Sequence, residues 1–311
     1  MRQYGYHAVL MFTRTLRTMA VATCLAAAAA CGGTESSPPV ATVSVTLSKT
    51  QVALGSVLDL TYRFQVEPNA KISGDYVVFA HLNREDGTTI WNDDHQLADG
   101  VKTSQWKPGQ VIEYTRTRFV PNLSYLGPAT IEVGLYRDDE RLTLIGPNPS
   151  DRDSSAHSYK VAGLELQPRS PRIQMYRLSG WQNAEYAPDD PTVDWQWTQK
   201  TAVLSVQNPK TDVTFFIEYD GRSDWLGKPQ QVDLYCGDAK VGSFVADARV
   251  PTLLKIPVSA SQLGTGEMTQ FRIEVDRTFV PAKLPGASND TRELGIRVFH
   301  ALVEPRSGGP A

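Results

Sequence analysis

The sequence predicts an all-β protein: two tandem β-sandwiches, the first immunoglobulin-like and the second jelly-roll-like, behind a signal peptide and a flexible tether. Three observations carry that prediction. From Ala41 onward, short runs of alternating apolar and polar residues recur with turn residues about every eight to twelve positions. Almost no stretch shows the apolar period of a helix. Pro168 and Pro171 interrupt the pattern midway and mark a connector between two halves.

The elements follow in order. Residues 1–30 carry Arg2, Arg14 and Arg17, no acid, and the apolar stretch Met19–Ala30. A basic start, a short apolar run and small residues make up a secretory signal peptide, and the run falls short of the about 20 residues that span a bilayer. Met11 opens a complete signal of its own. The junction Leu25-Ala-Ala-Ala-Ala-Ala30-Cys31 resembles the lipobox of bacterial lipoproteins, with Ala29 and Ala30 in fitting places and Ala28 where Leu is usual. That resemblance implies a lipidated Cys31 and a membrane as partner; Gly32 after it implies the outer membrane of a two-membrane envelope. Ordinary cleavage within the alanines is the alternative. Residues 31–40 include Gly-Gly-Thr-Glu-Ser-Ser-Pro-Pro, a composition that behaves as a tether.

Residues 41–164 form the expected first sandwich, with strands at Val43–Leu47, Leu58–Val66, Tyr76–Leu82, Thr89–Trp91, Ile112–Phe119 and Thr130–Tyr136. The Asp86-Gly87 pair signals a hairpin between the third and fourth. Residues 165–172 are the expected connector, 173–305 the second sandwich, and 306–311 a tail. The second half shows strands at Val193–Trp197, Ala202–Val206, Val213–Tyr219, Gln231–Tyr235, Gly242–Val245, Leu253–Val258, Gln270–Val275 and Ile296–Val303, a jelly-roll number.

Charge and cysteine usage narrow the function. The chain has 31 Lys+Arg, 34 Asp+Glu, a net charge of −3 and no basic run, which argues against a nucleic-acid partner. Loss of the three signal arginines moves the net charge to −6. Cys236, flanked by Leu234-Tyr235, reads as a small buried residue of a strand rather than a nucleophile.

The segments Val78-Phe79-Ala-His81-Leu82, Asp86-Gly87, Asp94-His95-Gln96, Ser104-Gln-Trp106-Lys-Pro108-Gly109 and Val133-Gly134-Leu135-Tyr136 together resemble a β-sandwich domain attached to bacterial membrane glycosyltransferases and cell-surface polysaccharide proteins. Gly180-Trp181, Glu185, Trp195-Gln-Trp197, Phe279-Val-Pro281 and Gly286 to Gly295 are similar to a terminal β-domain of surface-glycan proteins. Neither resemblance brings a catalytic set. It implies accessory modules, here on a lipid anchor.

Candidate ligand-binding residues are Trp195, Trp197, Trp225, Asp94, His95, Asp290 and Arg292. A tryptophan face packs on the apolar side of a sugar ring. Trp195 and Trp197 lie two apart on one strand face, as platform or as interior wall, and Trp225 lies in a loop. Arg292 in Asp290-Thr-Arg-Glu293 suits either a carboxylated sugar or a loop-holding pair with Asp290, and Gly295 reads as the turn into the last strand. The acidic groups Asp93-Asp94-His95, Asp138-Asp139-Glu140 and Asp189-Asp190 lack EF-hand spacing and read as turn residues, with calcium binding the alternative and Asp94/His95 the better pair for it; no metal or cofactor is expected. His81 and His300 lie inside apolar runs and read as core residues. Hydrolase, metalloprotease, P-loop, dinucleotide and dithiol signatures are absent. The expected function is a non-catalytic envelope lipoprotein binding or handling a surface polysaccharide. The alternatives are a protein-interaction module of an envelope assembly and, third, a glycan-active hydrolase.

Overall fold

The opposite parity of the first two long alternating runs comes from how they pair. The computed structural model describes residues 37–97, 100–148, 152–153, 157–169, 173–190, 193–247, 251–286 and 288–306. Cys31, the signal segment and most of the tether lie outside the described residues, as does most of the expected tail. β1 (Ala41–Leu47) buries its odd positions. After the short β2 (Gln51–Ala53), β3 (Val57–Val66) buries Leu58, Leu60, Tyr62, Phe64 and Val66. The strands are antiparallel with Val43 opposite Phe64 and Val45 opposite Tyr62, so odd and even sets share one face.

β4 (Val77–Arg84), β5 (Thr89–Asn92), β6 (Val111–Phe119) and β7 (Gly127–Arg137) follow the expected runs. The two-residue strands β8 (Glu140–Arg141), β9 (Leu144–Ile145) and β10 (Arg152–Asp153) precede β11 (Ser158–Gln167). One sheet has the order β6-β3-β1-β9 and the other β10-β11-β7-β4-β5, with β2 parallel on β11 and β8 antiparallel on β7. This is immunoglobulin-like connectivity.

No strand was expected at 158–167. Its pairing with β7 shifts register between Lys160 and Ala162, a bulge that breaks the alternation a sequence reading relies on. Glu165–Gln167, expected in the connector, are the end of this strand and pair with β2.

The second half contains β12 (Met175–Arg177), β13 (Glu185–Tyr186), β14 (Asp194–Trp197), β15 (Thr201–Gln207), β16 (Val213–Asp220), β17 (Gln230–Cys236), β18 (Ala239–Ala246), β19 (Thr252–Val258), β20 (Met268–Val275) and β21 (Arg297–Pro305). One-turn helices α1 (Ser223–Leu226) and α2 (Ala260–Leu263) lie in its loops. The sheets run β12-β15-β20-β17-β18 and β13-β14-β21-β16-β19. Numbered from β14, the eight expected strands fall in the orders 1-8-3-6 and 2-7-4-5, the jelly-roll arrangement.

Each half has its own core. Leu58, Tyr62, Phe64, Val133 and Leu135 centre the first, and Phe215, Ile217, Phe271 and Ile273 the second, where Cys236 is also buried. A small third cluster joins the halves: Val57 and Phe119 of the first pack with Phe216, Leu253 and Leu302 of the second. Lys255 Nζ adds an ion pair to Asp59 Oδ1 at 2.9 Å. Residues Ser37–Ala311 form one unit.

Candidate functional site

β6 is an edge strand whose even residues face inward. Tyr62 lies opposite Tyr114, Leu60 opposite Arg116 and Leu58 opposite Arg118, so two arginines occupy core parity at the open side of the first sandwich. Inward cations need a partner to offset desolvation. That partner is Asp93, only 4% exposed. Its backbone N–H bonds Ala80 O at 2.7 Å, and Val78 and His95 exchange two backbone bonds, so residues 93–95 run along β4 and present the carboxylate to the arginines. Arg116 donates from Nε to Oδ2 at 2.9 Å and from Nη2 to Oδ1 at 2.7 Å, while Arg118 Nε lies 3.0 Å from Oδ1. Burial disfavours the charge on Arg116, but the Asp93 bonds outweigh it and its pKa is raised.

Tyr62, Tyr114 and His95 close the inner side of this cluster. Tyr62 and Tyr114 stack at 5.3 Å, and the Tyr62 hydroxyl donates to Asp93 Oδ2 at 3.4 Å. His95 Nδ1 lies 2.5 Å from the Asp93 carbonyl oxygen, and Nε2 lies 2.8 Å from the Tyr114 hydroxyl. A carbonyl only accepts, so the proton sits on Nδ1 and Nε2 accepts from Tyr114. Burial, reinforced by the charge of Arg116, lowers the His95 pKa to about 4, and the ring is neutral at neutral pH. Burial also pushes the hydroxyls of Tyr62 and Tyr114 well above the ordinary tyrosine range.

The second sandwich supplies the facing wall. β16 is buried on both faces over most of its length, because its outer face, including Glu218, is covered as well as its core face. Glu218 lies opposite His300 of β21, and their side chains meet at 2.8 Å between Oε2 and Nδ1. The register then shifts, leaving Phe299 as an extra residue, so consecutive Phe299 and His300 line the same cleft. Arg118 Nη1 reaches Glu218 Oε1 at 3.7 Å, and His300 stacks on Phe119 at 4.8 Å. His300 and His81 are thus not core residues; each is half-buried with a ring nitrogen against a carboxylate, His81 Nε2 lying 3.3 Å from Asp94 Oδ1.

The result is a cleft of ≈ 1040 Å³. Its lining residues combine Trp91 and Phe299 with Thr252, Asn92, Gln96 and the ion-paired cluster. Asp94 and His95, candidates from sequence, are both among its lining residues. Apolar rings with a few fixed polar groups are the ordinary make-up of a ligand site.

The other five sequence candidates meet at a second cluster, on the outer face of the same jelly-roll sheet. Trp195 and Trp197 both donate their indole N–H to Glu185 Oε2, at 3.2 and 3.4 Å. Arg292 Nη2 lies 2.8 Å from Glu185 Oε1 and its Nε and Nη2 grip Asp290. The Asp290 bonds hold the Arg292 pKa well up and the Asp290 pKa down. Trp197 is 5% exposed and meets Phe279 edge-on at 5.5 Å, the interior wall of the two sequence readings. Trp195 is half-buried under the Arg297 guanidinium, 4.9 Å from its centroid. Trp225, expected in a loop, sits on α1 and is 41% exposed, with the Arg222 guanidinium 3.4 Å over its ring and Phe279 edge-on at 5.2 Å. This cluster touches the cleft through Trp195 and Phe299, whose rings are 6.0 Å apart. Gly295 serves by space rather than by turn freedom: a Cβ there would lie 2.4 Å from Thr198 Oγ1.

Sequence reasoning missed Arg116, Arg118, Glu218, Phe299 and His300, and did not single out Trp91. One signal was available: in Ile112-Glu-Tyr-Thr-Arg-Thr-Arg118 the arginines share the parity of Ile112 and Tyr114. Among the described residues no three His, Cys, Asp or Glu side chains gather as a metal site, and Asp93 spends its oxygens on guanidiniums.

No family model matches the chain, and no curated protein is similar to it. Among solved structures, it is similar to an alkylpurine DNA glycosylase of Pseudomonas fluorescens bound to abasic-site DNA: 14% identity, 42% of this chain and 31% of that one, TM-score 0.27. The CBM51-2 and INT domains of Clostridium perfringens ZmpB match at 9% identity, 57% of this chain and 37% of that one, TM-score 0.23. The CBM22-1–CBM22-2 tandem of Paenibacillus barcinonensis Xyn10C matches at 10% identity, 85% of this chain and 91% of that one, TM-score 0.27. The chain spans about a third of the length of the first two. The functional reading therefore rests on the cleft.

Proposed function

We propose that this protein is a non-catalytic lipoprotein of the bacterial cell envelope, anchored in the outer membrane through Cys31, that binds a surface polysaccharide between its two sandwiches. The observation that carries the proposal is the ≈ 1040 Å³ cleft, whose lining joins the partly exposed Trp91 to polar residues and to ionic groups held in place by one another. Sugar rings present an apolar C–H face and a rim of hydroxyls, and both have partners here. Preorganised walls reduce the ordering cost of binding.

The hydrolase reading fares worse for a physical reason. Of the four carboxylates among the described lining residues, Asp93 and Glu218 share Arg118, which lies 3.0 Å from one and 3.7 Å from the other. Asp93 is sealed behind guanidiniums, and Glu218 Oε2 is taken by His300. A glycosidase needs one such group free to protonate the leaving oxygen and the other free to reach the sugar or its water.

The test is a glycan array probed with the full chain in detergent. Binding to polysaccharide supports the proposal, and failure across neutral and acidic glycans contradicts it. The anchor has its own test. Cys31→Ser leaves an unprocessed, unlipidated precursor; maturation of that variant to the wild-type mass would overturn the lipidation reading.

A further inference from the structure

We infer that the cleft selects an uncharged, hydroxyl-rich sugar chain over an acidic one, an inference that rests on the polysaccharide reading above. Among the described residues, Asp93, Asp94, Asp190 and Glu218 line the cleft against Arg116 and Arg118, an excess of carboxylates. The charge of each guanidinium is already matched by an internal carboxylate. Arg116 commits two nitrogens to Asp93, and Arg118 is shared between Asp93 and Glu218. His95 is neutral, its Nδ1 and Nε2 used on the Asp93 carbonyl and Tyr114, and His300 is engaged by Glu218.

An incoming carboxylate or sulfate would have to displace an internal carboxylate from a desolvated bidentate pair, or sit unpaired beside Asp94 and Glu218. A sugar hydroxyl faces neither cost. It donates to a carboxylate oxygen and accepts from a guanidinium N–H, which suits a wall where the two alternate. Trp91, partly exposed, supplies the surface on which its C–H face packs. Arg292, whose fork could have read a carboxylated sugar, is turned onto Asp290 and Glu185. The excess of acids over bases in the whole chain repels a polyanion in the same sense.

The experiment compares neutral and uronate-containing glycans on one array, with affinities measured for the best binder of each class by calorimetry on the full chain. The expected result is at least tenfold tighter binding of the neutral chain at low salt. The gap should narrow at 0.5 M salt, where screening shortens the reach of the carboxylates to a few ångströms, and again in Asp94→Asn. Equal or tighter binding of the uronate chain would overturn this inference and leave the polysaccharide reading standing. A gap that neither salt nor Asp94→Asn changes would overturn the electrostatic origin claimed for it. Absence of binding to both classes would overturn the underlying reading as well.

Discussion

Acidification should weaken the fold through one ring, His95. Its Nδ1–H bonds the Asp93 carbonyl and its Nε2 accepts from Tyr114, in a site next to Arg116. A proton added to Nε2 turns an acceptor into a donor facing the Tyr114 oxygen and places a second cation near Arg116. Burial first, and the charge of Arg116 next, lower the folded ring's pKa to about 4 against an ordinary 6.5. Above 6.5 both states are neutral and stability is independent of this group. Between 6.5 and 4 the unfolded chain binds the proton and the folded one does not, so stability falls as pH falls through that window. The full difference corresponds to about 3 kcal/mol, or roughly 6–12 °C in melting temperature for a domain of 150–250 residues. The carboxylates held low by their partners, Asp59 and Asp290 among them, lose their contribution only below about 4, outside the window. Asp220, pushed up by burial despite Arg297, acts in the opposite sense. Thermal or urea unfolding at closely spaced pH values, on wild type and His95→Gln, provides the assay. The glutamine amide can donate to the carbonyl and accept from Tyr114 without titrating, so its profile should be flatter by about that amount. A wild-type profile flat from pH 7 to 4.5, or a His95→Gln profile as steep as wild type, would refute the reasoning.

Two further substitutions probe the same architecture. Asp93→Ala leaves Arg116 and Arg118 facing inward without their shared partner, and unfolding titrations should show a loss of about 3–5 kcal/mol, whereas the double change with Arg116→Met should recover part of it. Gly295→Ala forces a methyl to within 2.4 Å of Thr198 Oγ1 and 2.8 Å of Gln199 O, and should cost about 1–3 kcal/mol by the same measurement, with no change in lipidation.

The two sandwiches were legible because burial on one face writes itself into every second residue, as in Leu58–Val66 and Ala202–Val206. The strand that escaped, Ser158–Gln167, has a bulge at its centre, where the alternation slips by one. The site was legible in part. Asp94 and His95 line the cleft, and five other candidates share one cluster, yet the shortlist favoured tryptophans. The ion-paired groups at the centre come from strands far apart in the chain: Arg118 and Glu218 meet only because the sandwiches dock. Nothing local in β16 says that its outer face will be covered. The unbroken run of Phe215-Phe216-Ile217 is the nearest hint, since a strand exposed on one face would alternate there.

Calorimetric binding of the tightest neutral glycan to wild type, Trp91→Ala and Trp225→Ala tests the central claim most directly. Trp91 lines the cleft, and loss of its ring removes apolar packing worth roughly 1.5 kcal/mol, so Trp91→Ala should weaken binding about tenfold or more. Trp225 lies on α1 under Arg222, in the separate aromatic cluster, and Trp225→Ala should leave the affinity within about twofold. The reverse pattern, with binding lost at Trp225 and kept at Trp91, would place the glycan on the jelly-roll loops and contradict the cleft as the site.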